Sequence, residues 1–111
     1  MGVNHQLHVT AVKAAKGIRQ FQLADRAMDK DKTDRAVRHL DRGLKDFGKA
    51  LDHLADAADD ALADLSSEIA AGNDQMQKCL DSIDGGDMDR ASKHYDKALS
   101  HYDMALDMLD V

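Results

Sequence analysis

Histidine and aspartate are the side chains in this sequence that could hold a metal ion, and six His with 20 Asp are available among 111 residues. His39 and His94 stand out because they fall in matching segments, Asp34-Arg35-Ala36-Val37-Arg38-His39 and Asp89-Arg90-Ala91-Ser92-Lys93-His94. Imidazole is the commonest protein metal ligand, so these two are the metal candidates. Helical geometry sets each about a quarter-turn from the middle of its apolar stripe, on the shoulder of a helix, where a boundary role is the plainer expectation. The Glu-x-x-His pairs of ferritin-like di-metal bundles are missing, because Glu68 is the only glutamate. His5 and His8, at i,i+3, suit a weak site at a frayed end, and His53 and His101 are expected at the surface.

Covalent catalysis finds no footing. Cys79 occupies an apolar helical position and reads as a small core hydrophobe. Ser66, Ser67, Ser82, Ser92 and Ser100 lie outside any nucleophile-elbow pattern, and no glycine-rich loop is placed to cradle a phosphate. The residues Met28, Met76, Met88, Met104 and Met108 mostly follow helical spacing and are expected in packing. No enzyme activity and no cofactor is expected.

Charge supplies a second kind of candidate. Asp89, Asp96, Asp103 and Asp110 recur every seven residues and form one acidic stripe along the last helix, while Arg35, Arg42 and Lys49 form a basic stripe in the first half. Such stripes can pair between chains and set the orientation of an oligomer, or serve solubility alone.

The elements that position these residues follow from a repeat. Residues 3–56 overlay residues 58–111 without a gap, and 16 of the 54 aligned pairs are identical. Ala50-Leu51-Asp52 falls on Ala105-Leu106-Asp107, and Phe47 falls on Tyr102. A tandem duplication is the simplest reading. Leu40, Leu44, Phe47, Leu51 and Leu54 step by four and three, as do Tyr95, Leu99, Tyr102, Leu106 and Leu109, which places each set on one face of a helix. Leu62, Leu65, Ile69, Gly72, Met76, Cys79 and Ile83 do the same, with Leu7, Ala14, Gly17, Phe21, Ala24 and Met28 as the counterpart.

Asp84-Gly85-Gly86-Asp87 breaks one pair of helices and Asp29-Lys30-Asp31-Lys32-Thr33 the other, with Thr33 or Asp34, and Asp87, as helix caps. Gly17 and Gly72 coincide in the repeat. Close helix contact is expected there, with a local break capped by Asn73 and Asp74 as the alternative. Asp59 and Asp60 are the only caps offered at the junction of the copies.

The expected fold is all-α: an antiparallel up-down-up-down four-helix bundle of two tandem helical hairpins, forming one domain over 1–111, with helices near 3–29, 33–56, 60–83 and 87–109. The alternative is a continuous middle helix from about 34 to 83, which would require a dimer to bury its stripe. Around Gly86-Asp87-Met88-Asp89-Arg90-Ala91-Ser92-Lys93-His94-Tyr95-Asp96-Lys97-Ala98-Leu99 the sequence resembles the second helix of a tetratricopeptide repeat. The period of 55 differs from the 34 residues of that family, so the likeness is read as shared small-large packing, with no function carried over.

The net charge of −6 divides into +4 for residues 1–55 and −10 for residues 56–111. Phosphate repulsion by the acidic half argues against nucleic acid as a partner. Residues 1–25 carry His5, His8, Lys13, Lys16 and Arg19, which leaves no signal-peptide core, and no apolar run suits a membrane. One cysteine permits no internal disulfide, so a cytoplasmic protein is expected. With no catalytic constellation, the expected function is a non-enzymatic protein-interaction or self-association module acting on a protein partner or homo-oligomer. The alternative is a metal- or small-ligand-binding bundle using His39 and His94.

Overall fold

Amphipathic stripes of this kind are stable only when they face one another, and they do. The computed structural model describes residues 2–57 and 62–109. Four α-helices follow in order: α1 (Gly2–Asp29), α2 (Thr33–Ala57), α3 (Ala63–Asp84) and α4 (Met88–Leu109). At 1.5 Å per residue a helix the length of α1 spans about 42 Å. The molecule measures 44 × 19 × 19 Å, so the helices lie side by side along one axis.

α1 packs tightly on α2 and α3 on α4, giving two hairpins, with α2 against α3 and α1 against α4 closing the bundle more loosely. Val37 and Arg38, early in α2, border Leu80 and Ile83, late in α3. The chain therefore reverses between α2 and α3, and the continuous middle helix is not formed. Burial of both stripes within one chain removes the need for a partner to cover them. The expected caps Asp59 and Asp60 lie outside the described residues, and α3 begins after Leu62 without a side-chain cap.

Both hairpin turns use the same backbone device at positions 55 apart. After α1, Asp31 N donates to Met28 O (3.0 Å) and Lys32 N to Ala27 O (2.8 Å), with Asp31 at φ 57°. After α3, Gly86 N donates to Ile83 O (3.0 Å) and Asp87 N to Ser82 O (2.9 Å), with Gly86 at φ 80°. This Schellman arrangement satisfies the last carbonyls of a helix through one left-handed residue. Asp87 then caps α4, its Oδ1 accepting from Arg90 N at 3.0 Å. α2 starts at Thr33, for which no side-chain cap forms; Lys32 O receives Ala36 N instead.

The core is an alanine-rich shell around an aromatic layer. Phe47 and Tyr102 stack across the bundle, ring centroids 3.9 Å apart and 18° from parallel, with Phe21 stacked on both and Tyr95 edge-on to Phe21. Room for these rings comes from glycine. A Cβ on Gly17 would stand 2.5 Å from Phe47 Cδ2, and one on Gly72 would stand 2.5 Å from Tyr102 Cε1. Both glycines thus serve close contact. α3 continues unbroken past Gly72, and Asn73 accepts the Tyr102 hydroxyl at 2.7 Å instead of capping a new helix.

Of the methionines, Met76 is fully buried and Met28 packs against the core. Met88, Met104 and Met108 depart from expectation, being 40–50% exposed. The reason lies in their register: Met104 takes the outward position that Lys49 holds in the first hairpin, and Met108 that of His53. Among the described residues no helix is long and apolar enough to cross a membrane.

Candidate functional site

The two histidines sit where helical geometry puts a shoulder residue, half-buried at the seam between paired helices. In the first hairpin, His39 Nδ1 bonds Gln20 Oε1 across the α1–α2 seam at 2.8 Å; in the second, His94 Nδ1 bonds Gln75 Oε1 across the α3–α4 seam at 2.7 Å. Gln20 and Gln75 are themselves equivalents in the repeat. An amide oxygen only accepts, so each Nδ1 carries the hydrogen and each Nε2 is left without one. His39 and His94 thus serve separate seams, each tied to the glutamine of its own hairpin. Among the described residues no group of three or more His, Cys, Asp or Glu is close enough to hold a metal ion.

Around His39 the fold gathers positive charge. Arg35, Arg38 and Arg42 stand at i, i+3 and i+7 on the same side of α2, and with His39 they line a shallow depression of about 210 Å³. Burial, and after it Arg42, Arg35 and Arg38, hold the His39 imidazole below the ordinary value of 6.5. All three guanidiniums are exposed, and none forms an ion pair with a carboxylate among the described residues. The second hairpin repeats the pattern as Arg90, Lys93 and Lys97 around His94. Residues 56–111 hold only four Lys or Arg, and three of them occupy these places.

The stripes keep their outward register. Arg35, Arg42 and Lys49 are exposed along α2 and Asp89, Asp96 and Asp103 along α4, while Asp110 lies outside the described residues. Among the described residues neither stripe pairs with the other or with any opposite charge, because the ion pairs present are Lys45–Asp41, Lys78–Asp74, Arg90–Asp87 and, when the imidazole is protonated, His101–Glu68 at 2.8 Å. His101 is thus tied to α3 and is not a free surface residue.

A second concavity of about 320 Å³ opens at the turn end of the bundle, between Ala24, Met28, Leu40, Cys79, Ile83, Ala91 and Tyr95, with Asp25 and Ser92 at its polar side. Burial drives the Cys79 thiol up to about 11, so it stays protonated near neutrality and is a poor nucleophile. Burial also raises the Tyr95 hydroxyl, with Asp25 adding to the effect, and it donates to Phe21 O at 3.4 Å. Gln20, Gln75 and this pocket were not singled out from the sequence. The coincidence of the two glutamines at the repeat offset was the available signal; the pocket has none, since it arises from four helix ends meeting.

Comparison with known proteins finds no matching family model, no matching curated protein and no matching solved structure.

Proposed function

We propose that the protein is a non-enzymatic interaction module that associates with copies of itself, the basic stripe of α2 in one chain taking the acidic stripe of α4 in another. Supporting this is one observation: Arg35, Arg42 and Lys49 on one helix and Asp89, Asp96 and Asp103 on another are exposed, equally spaced and without an ion pair among the described residues. Seven-residue steps rise about 10.5 Å, so the two rows are in register for three contacts when α2 and α4 of two chains lie side by side. Exposed pairs contribute only about 0.2–1 kcal/mol each and are screened by salt, so the association is weak and salt-sensitive. Sedimentation velocity tests it: mass above the monomer at low salt that falls to the monomer at high salt supports the reading, and a monomer at both removes it.

The turn-end pocket favours a second reading, binding of a small, mainly apolar ligand. Its volume lies at the lower edge of ligand sites, and such sites combine apolar walls with a few polar groups. Fluorescent apolar probes displaced by Tyr95→Trp would support it; probe binding unchanged in that variant would count against it.

A further inference from the structure

We infer that the depression formed by Arg35, Arg38, His39 and Arg42 is a binding site for a phosphate group, carried as a monoester on a protein segment or free in solution, and that Arg90, Lys93, His94 and Lys97 form its weaker counterpart. The inference shares its guanidiniums with the proposed association but does not need a second copy of the chain. It rests on what the two halves keep in common while their charge diverges.

Between the hairpins the balance of charge reverses, and only Lys78 falls outside the positions that copy the arginine triad. The histidine at the centre and the glutamine that holds it are kept as well, with bond lengths of 2.8 and 2.7 Å. In this otherwise acidic half three cations still surround a fixed imidazole, and one of them, Arg90, is paired with Asp87 at 3.9 Å. In the first hairpin the acids of the same segment, Asp34 and Asp41, stand one turn from Arg38 at i−4 and i+3, yet neither forms an ion pair with a guanidinium of the triad, and Asp41 is taken by Lys45 at 3.2 Å.

Three cations that lack carboxylate partners suit a doubly charged tetrahedral anion, because guanidinium forks match phosphate oxygens and give strong charge-assisted bonds. The depression, about 210 Å³, has the volume of roughly seven waters at ~30 Å³ each, enough for a phosphate group at its floor. With Nδ1 committed to Gln20, protonation of Nε2 adds a fourth positive group. By register the charged groups on this flank are Arg35, Arg38 and Arg42, Asp34 and Asp41 beside Arg38, Asp46 further along α2, and Lys13 and Lys16 of α1, which lie seven and four residues before Gln20. In the second hairpin the place of Lys13 is taken by Glu68, which makes that site the weaker.

The test is imidazole NMR of the whole chain during titration with inorganic phosphate and, separately, O-phosphoserine, against sodium chloride at matched ionic strength. Saturable movement of His39, a rise of its titration midpoint by about one unit, and an affinity reduced about tenfold in Arg38→Ala support the site. Saturation by both phosphates points to a phosphorylated segment, and saturation by inorganic phosphate alone points to the free ion. Chloride acting equally, or His5, His8 and His53 moving together with His39, overturns it. Arg38→Ala removes an exposed side chain, and far-ultraviolet circular dichroism confirms that its helices persist. Salt-sensitive association by a chain whose His39 ignores phosphate overturns this site and leaves the association reading standing; saturable binding by a chain that never associates does the reverse.

Discussion

Phe47 lies face to face with Tyr102, centroids 3.9 Å apart, and each ring enters a gap left by a glycine of its own hairpin, Gly17 for Phe47 and Gly72 for Tyr102. The aromatic layer and its glycines act as one packed unit, which makes the consequences of filling those gaps opposite to what helix propensity alone gives.

Alanine is a better helix former than glycine by about 1 kcal/mol. Gly17→Ala and Gly72→Ala are nevertheless expected to lower stability by about 1–3 kcal/mol, because the new methyl overlaps a ring already packed against two other aromatic rings. Gly48→Ala meets nothing within 4 Å and should raise stability by about 0.5–1 kcal/mol. Urea unfolding of the three variants checks the signs.

The two hairpin turns ask for one left-handed residue each, supplied by Gly86 but by Asp31 in the first turn. Asp31→Gly should therefore stabilise the protein by up to about 1 kcal/mol, and Gly86→Ala should destabilise it by about 1 kcal/mol. Thermal unfolding midpoints moving in opposite directions would bear this out.

Tyr102 is fully buried and its hydroxyl donates to Asn73 at 2.7 Å. Tyr102→Phe leaves Asn73 Oδ1 without that donor and should cost about 1 kcal/mol. Phe47→Ala, which empties the stack, should cost about 3–5 kcal/mol. Chemical denaturation separates the two sizes of effect.

Titration of His39 and Cys79 limits stability from opposite ends of the pH scale. The folded His39 value lies below 6.5, so the unfolded chain takes up the proton first as pH falls; the contribution is intact above about 6.5 and is lost below it. Cys79 rises from 9.0 to about 11, so its contribution is intact below about 9 and is lost as pH climbs towards 11. His39→Gln should flatten the acid side of a stability–pH curve and Cys79→Ala the alkaline side. Iodoacetamide at neutral pH should label Cys79 slowly in the native chain and readily in denaturant.

Much of this fold was legible because it rests on period. The apolar steps of Leu40 to Leu54 and Tyr95 to Leu109 placed helix faces, and the Gly85-Gly86 break placed a turn. The matched positions of Gly17 and Gly72 pointed to close packing without naming the rings that fill it. Sequence could not decide the α2–α3 junction, because the apolar pattern runs through it; only the approach of Val37 to Leu80 does. It placed His39 and His94 on shoulders, yet the tie to Gln20 and Gln75 depends on which helices pair. The exposure of Met104 was missed because a thioether fits either the core or the surface.

The account turns on charge stripes meeting between chains, and a charge swap tests that directly. An Arg35→Glu/Arg42→Glu chain and an Asp89→Arg/Asp96→Arg chain are each expected to stay monomeric at low salt, and their mixture to associate, by sedimentation velocity. A mixture that remains monomeric, or single variants that associate as the parent does, would contradict it.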